Sequence, residues 1–518
     1  MMIALLILLA SAFFSSQIEL NSDLLYTEML FRDLFSPFKM NGWKFTPAPS
    51  FFPDIALILP LRALTGDFRL ALFFYVAIFL SGLYLIWKAT LELVFREKVV
   101  SVFNCFFAVF LLLFTLSPIP HVRLFFAPIW HSGVFISGAL AFYFLIKDIE
   151  GSRPRKKFSS QLVILFIVLI LQLVSDTFFA VQFLLPLYGI VIFWWIAGWT
   201  SYSRIFRYTL GLCGTVLGAA LLFRIFLFHR TGIHIANSVH PQTVLEQLQT
   251  IKETLPLGDP QVAILFLAPL TYLILGGIDV LKNLKKNFPR STMHDKFTTS
   301  LYLLFIFSFG LNTLVVLNKS LWHGFDNIRY FYPFQVLPFF GLSALICKYL
   351  ARIQSRAQDT KTFQVILLGI QGLAICVLVG SGIRQGARLP LLEYPAEVQC
   401  IDNLLTQEQR LLGLGGYWDA KLITALSRKN VRINQVTEDS IAPYHWINNM
   451  NWFKQDGLQQ GPHTFALTLS ADTAFLKNIE NRFGKPLAKE NCGKYTLLFY
   501  PKNQDLLDKI DLEWPPKL

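Results

Sequence analysis

Apolar runs long enough to cross a bilayer recur along the first three quarters of this chain, and that recurrence most restricts its fold. They lie near residues 2–17, 69–88, 99–118, 131–147, 161–175, 178–198, 208–228, 261–281, 299–317, 331–350 and 363–382. Crossing a hydrocarbon core takes roughly 20 apolar residues. Inside lipid an unpaired backbone amide finds no water, so each run must be an α-helix. The expectation is an all-α polytopic membrane protein of about 11 transmembrane helices. Composition agrees: 54% of the 518 residues are hydrophobic and only 15% are charged, against about a quarter in soluble domains. The segment 51–64 is apolar but short, and Pro53, Pro60 and Arg62 interrupt it. It reads as a re-entrant or interfacial helix, with a full span as the alternative.

The formal net charge is +13. Nucleic-acid binding would want those charges gathered on a soluble face. Here Lys and Arg crowd one set of short loops, at 88–98, 147–157, 204–207, 282–296 and 348–361, and thin out in the alternate set. That asymmetry is the positive-inside pattern. It excludes a nucleic-acid partner and makes the crowded loops cytoplasmic. The N-terminus is then inside, and the first loop, 18–68, and everything after about 382 are outside. The opening stretch MMIALLILLASAFFSS lacks a basic leader and carries only a weak cleavage site, so it reads as a retained first helix.

The chain divides at about residue 382. Residues 1–382 form the transmembrane part, and 383–518 read as a small extracytoplasmic α/β domain. VRINQVT, FALTLS and YTLLFYP alternate as strands do, and DTAFLKNIENRFG reads as a helix stopped by Gly484. RLLGLGGYWDA reads as a strand, a tight glycine turn and a helix start. Its GLGG lacks the full dinucleotide-binding pattern. Cys400 and Cys492, the only cysteines of this exported part, form a candidate disulfide. No Cys/His spacing typical of zinc occurs.

Polar residues that are costly at membrane depth collect on the outward side. Asp23, Glu28, Arg32, Asp33, Trp43, Lys44 and Asp54 lie in the first loop. Arg123 and His131 flank the next outer loop, Asp176 sits in the short SDTFF turn, and Arg224 and Arg230 border the loop after the seventh run. Arg329 and Tyr330 stand in FDNIRYFYP. Each has an ordinary reading as a solvated loop residue. Asp23 is either a helix cap or a general base at a cavity mouth. Glu28 and Arg32, four apart, suit a helix-face ion pair. Arginine forks match phosphate oxygens. APYHWINNMNWF, at 442–453, offers aromatics and amides that suit either sugar contact or packing onto the membrane domain.

Asp23 near the start of the first loop, the jagged FFPDIALILPLRALTGD and the long helix that begins at Arg69 together resemble the opening module of GT-C glycosyltransferases. RYFYP at 329–333 is similar to the Arg-Tyr-apolar-Pro entry to a late helix in that class. The resemblance implies transfer of a sugar from a polyprenyl-phosphate donor to a glycan, lipid or protein acceptor on the outer face, with the carrier tail among membrane lipids. Asp23 would activate the acceptor hydroxyl, and Glu28 or Asp54 would orient it or line the sugar pocket. Arg329, with Arg224 or Arg230, would meet the carrier phosphate. Lys44 and Trp43 would touch sugar or phosphate, and Arg123, His131, Asp176 and Tyr330 would complete the binding surface. The chain departs from the class pattern in three ways. Leu24 stands where a second acid is common, Pro53 is single, and no metal-ligand set is visible, so no cofactor is assigned and a divalent metal stays open. The compact topology leans toward a bacterial inner membrane. A multi-pass transporter or flippase is the alternative, although no internal repeat of the transporter kind is found.

Overall fold

The computed structural model describes residues 22–35, 40–46, 48–95, 100–115, 124–150, 160–226, 243–254, 260–285, 291–318, 321, 325–353, 394–454 and 461–510, with a few turns between 365 and 377. The run at 2–17 lies outside the described residues. The membrane part contains α1 (Ser22–Leu34), β1 (Trp43–Lys44), α2 (Ala56–Thr65), α3 (Phe68–Phe95), α4 (Val100–Thr115), α5 (Ser132–Glu150), α6 (Ser160–Ser175), α7 (Leu185–Ile196), α8 (Tyr202–Phe226), α9 (Val244–Thr254), α10 (Pro260–Lys285), α11 (Met293–Asn318) and α12 (Tyr332–Ile353). Among the described residues, six helices are long and apolar enough to cross a membrane and three shorter ones are also apolar. This is an integral membrane protein.

Local chemistry sets the boundaries near the first loop. A π-type turn at Phe51–Ile55 leads into α2. Gly66, at φ +68°, ends α2 by donating its N–H to the Arg62 carbonyl. The Asp67 carboxylate then accepts from the backbone N–H groups of Arg69 (2.8 Å) and Leu70 (3.0 Å), which starts α3 one residue later. One Gly-Asp pair thus stops one helix and launches the next.

The centre of the bundle is aromatic. The Trp87 and Phe340 rings stack at 4.3 Å between α3 and α12. Phe110 packs on Phe114, Phe126 and Phe339, with Phe125 edge-on to Phe135 and Tyr332. Lipid is as apolar as these rings, so close packing rather than water exclusion holds the helices together.

One end of the bundle carries a buried ionic knot. The Lys348 Nζ of α12 lies 2.6 Å from Asp279 of α10 and 2.8 Å from Asp295 of α11, and Arg352 bonds Asp295 at 2.7 Å. Thr298 and Asn283 donate to the same Asp279. The sequence reading placed Lys348 among solvated loop cations; it is wholly buried instead. Helix α12 continues past it, and two neighbouring helices supply the acids.

The tail domain contains α13 (Ala396–Gln407), β2 (Leu412–Gly416), α14 (Tyr417–Leu426), β3 (Arg432–Val436), β4 (Asn448–Asn449), β5 (Phe465–Leu469), α15 (Thr473–Phe483), β6 (Ala488–Cys492) and β7 (Tyr495–Phe499). Five strands make one sheet in the order β3-β2-β5-β7-β6. β2 runs parallel to β3 and β5, and β7 runs antiparallel to β5 and β6. GLGG is the end of β2 leading into α14, as read. A Cβ at Gly413 would come within 2.4 Å of the Phe465 ring, so that glycine serves strand packing. Cys400 of α13 and Cys492 of β6 are disulfide-bonded.

Candidate active site

The first loop and the tail domain are joined twice. In the first joint, α1 and α14 lie side by side and run the same way. At the leading end Ser22 Oγ donates to the Tyr417 carbonyl. At the trailing end the Arg32 guanidinium donates to the Thr424 (2.8 Å) and Ala425 (2.6 Å) carbonyls, the orphan acceptors where α14 ends. In the second joint, β1 pairs antiparallel with β4 over the buried Asp33. The Asp33 carboxylate accepts from Trp43 Nε1 (3.0 Å), Trp452 Nε1 (3.0 Å) and Asn449 Nδ2 (2.7 Å), with Arg432 at 3.8 Å. The aromatic and amide groups of 442–453 therefore pack onto the first loop.

These joints bring Asp23 against the tail. Its carboxylate accepts from the Tyr417 hydroxyl. Among the described residues it makes no bond to a backbone amide of its own helix. Burial and the Asp23 charge both push the Tyr417 phenol well above its usual range, so it stays a donor. Arg329, from a 3₁₀ turn at Phe325–Phe331 just before α12, lies within electrostatic reach of Asp23. Its guanidinium sits over the Trp130 ring at 4.7 Å and the Tyr330 ring at 5.2 Å. Among the described residues it forms no ion pair with a carboxylate, and its Nε is buried without a hydrogen bond.

A second layer surrounds Arg329 and Tyr330. Tyr330 stacks on Phe178 at 4.8 Å and lies 5.8 Å from His131. His131 Nδ1 meets Asp176 Oδ2 at 2.5 Å. Asp54 is next to this pair; its carboxylate accepts from Tyr75 Oη (2.6 Å) and the Ile129 amide (2.9 Å). Burial pushes the Asp54 carboxyl up to about 6, opposed by those two donors. A Cβ at Gly133 would come within 2.5 Å of both Asp54 Oδ1 and Pro53, so a glycine there lets the proline-broken turn press against the start of α5. Ser175 fixes the same turn, accepting from the Phe52 amide at 2.9 Å.

The structure thus brings together Asp23, Asp54, His131, Asp176, Arg329 and Tyr330. Three expected residues stand elsewhere. Glu28 is buried between Arg32 (2.8 Å) and Arg62 (2.6 Å), a closed ion cluster that fixes α1 to α2. Trp43 is wholly buried beneath Asp33, stacked on Phe45 at 5.9 Å, because its indole N–H serves the joint. Lys44 belongs to β1, paired with Asn448. Arg123 and Arg230 lie outside the described residues. Arg224 falls in α8, and its side chain is not among those described.

Sequence reasoning missed Tyr417 and Lys421, both on α14. The only local sign was their four-residue spacing, which puts them on one helix face; nothing nearby told that α1 would cover it. No three His, Cys, Asp or Glu among the described residues are grouped to hold a metal ion, and no step below is routed through one.

Neither a family model nor a curated protein matches this chain. Solved structures do. ArnT from Cupriavidus metallidurans bound to undecaprenyl phosphate superposes with a TM-score of 0.53 at 12% identity, covering 96% of each chain. The apo state of the same protein gives 0.54 at 10% identity with the same coverage. The likeness spans both the helical bundle and the tail, so this chain shares the overall fold of that protein.

Proposed function

We propose that this protein transfers a sugar from a polyprenyl-phosphate carrier to an acceptor hydroxyl, with Asp23 as general base. The observation that carries the reading is the nearness of Asp23, held by Tyr417, to Arg329, a cation that forms no ion pair with a carboxylate among the described residues. Such a pair suits a proton to be taken and a phosphate to be held a short distance apart. The fold matches that of an ArnT bound to undecaprenyl phosphate, which supports the carrier class.

In this scheme Asp23 takes the proton of the acceptor O–H as its oxygen bonds to the anomeric carbon. The bond from that carbon to the carrier phosphate oxygen breaks, and the phosphate leaves with the electron pair toward Arg329. Tyr417 fixes the carboxylate rotamer. His131, Asp176 and Asp54 line the wall behind Tyr330 and orient substrate. The acceptor is a glycan, a lipid or a protein. The reaction faces the outside of a bacterial inner membrane, with the N-terminus cytoplasmic. Two features support that orientation: the cation asymmetry of the loops and a disulfide in the tail, which belongs in an oxidising compartment.

The test is Asp23→Asn in reconstituted protein given a panel of polyprenyl-phosphate sugars. Donor binding should survive while turnover falls by about 10²–10⁴-fold. Equal turnover by both proteins would move the base elsewhere, first to Asp54. Turnover with and without a chelator tests the divalent metal that the sequence leaves open.

A further inference from the structure

Among the described residues Lys421 meets no anion at ion-pair distance. It is 1% exposed, and there its Nζ makes no hydrogen bond and no carboxylate forms an ion pair with it. Its Nζ lies over the Tyr417 ring, 4.4 Å from the centroid, and within electrostatic reach of Asp23. Two other deeply buried basic residues have close acceptors. Lys348 sits between Asp279 and Asp295, and Arg410 donates to the carbonyls of Thr464 and Tyr500. Burying an unpaired ammonium is costly, and a packing role would be served better by Leu or Met. The position matters more than the cost, because Lys421 lies beside Tyr417, which bonds Asp23, and both Lys421 and Arg329, from the tail and the membrane domain, are within electrostatic reach of Asp23. Among the described residues neither cation forms an ion pair with a carboxylate, the place that a phosphate would take.

We propose that Lys421 is a second binding residue for the carrier phosphate, contributed by the tail domain, so that the phosphate is held between Arg329 and Lys421. The proposal rests on the polyprenyl-phosphate reading above. It gives the tail domain a direct part in substrate binding and makes its docking on α1 a condition of forming the site.

Charge state offers an independent handle. Burial pushes the Lys421 ammonium down to about 7, partly offset by Asp23. Other charged groups around α14 are Arg32 at the end of the helix, Arg432 toward Asp33, Arg329 across Asp23, Asp419 bonded by Tyr495, and Glu438 beside Gly416 at the helix start. The lysine is cationic below about 7, so its hold on an anion weakens as pH rises through that value. An arginine in its place stays charged.

The experiment measures binding of a short-chain polyprenyl phosphate in detergent to the full chain from pH 6 to 9. It compares wild type, Lys421→Met, Lys421→Arg and Arg329→Ala, with thermal melting of each. At pH 6.5, Lys421→Met should bind at least about tenfold more weakly, the loss of one charge-assisted contact. Wild-type affinity should fall relative to Lys421→Arg as pH rises past 7. Without ligand, Lys421→Met should melt higher than wild type. If Lys421→Met, or Lys421→Arg where the first does not fold, matches wild type within twofold at every pH while Arg329→Ala is weakened, Lys421 is a packing residue and the transferase reading stands. If folded wild type binds no polyprenyl phosphate at all, both readings fall together.

Discussion

Asp23 and Asp33 sit on one helix and are used in opposite ways. Asp33 is closed off by three neutral donors and an arginine, whereas Asp23 has one phenol and an open side facing cations. Asp33→Ala should therefore cost about 3 kcal/mol of stability, because it strands two indole N–H groups and Arg432 in a buried joint. Denaturant unfolding of the full chain would measure it. Asp23→Asn should leave stability within about 1 kcal/mol of wild type, since a neutral acceptor for Tyr417 remains. The same pair separates under titration. Burial raises the Asp33 carboxyl despite its donors, so the folded chain holds that proton more tightly than the unfolded chain does. Its contribution is greatest at low pH and declines as pH rises through the folded value. Asp33→Asn, which cannot titrate, should remove that slope from the pH dependence of the melting temperature.

The element scale shows which parts of the structure were legible. Features fixed by near neighbours were read correctly from residues alone: the strands at 432–436, 465–469 and 495–499, and the helix that ends at Gly484. β6, with the polar sequence AKENC and an almost wholly exposed face, gave no alternation to read; only its pairing to β7 makes it a strand. Docking of α14 on α1 was equally hidden, because its contacts join residues almost four hundred positions apart. Glu28 and Trp43 are held by partners closer in sequence, Arg32 and Arg62 for the first and Asp33 for the second. Within the joint, Arg32 does the work of a helix cap. Arg32→Ala should weaken the contact by about 2 kcal/mol, through loss of two carbonyl bonds and the Glu28 pair. Faster proteolysis of the tail in otherwise intact protein would reveal it.

On the scale of the whole molecule, charge is sorted to two ends of the bundle. Among the described residues, the end with Asp23 and Arg329 leaves cations without ion pairs, and at the other end Lys348, Asp279 and Asp295 are mutually paired. Lys348→Ala should destabilise the chain by about 3–5 kcal/mol, because Asp279 and Asp295 would remain buried with fewer partners. Replacing Lys348 and Asp279 together by apolar residues of similar size should recover much of that loss, as thermal melting would show. The covalent link in the tail acts at the same scale. Cys400 and Cys492 are 92 positions apart, a span for which a disulfide contributes about 2–4 kcal/mol. Cys400→Ser with Cys492→Ser should lower the melting temperature and make it insensitive to reductant.

The bond between Tyr417 and Asp23 spans 394 positions of sequence, and this gives the protein a clock. A ribosome adds about 5–20 residues per second. Asp23 therefore waits tens of seconds, already threaded into the bilayer, before the helix that finishes its surroundings exists. During that interval the nascent chain carries the proposed base without the phenol that bonds it or the lysine proposed beside it. Premature arrest anywhere before α14 leaves a membrane-embedded fragment that lacks this half of the site.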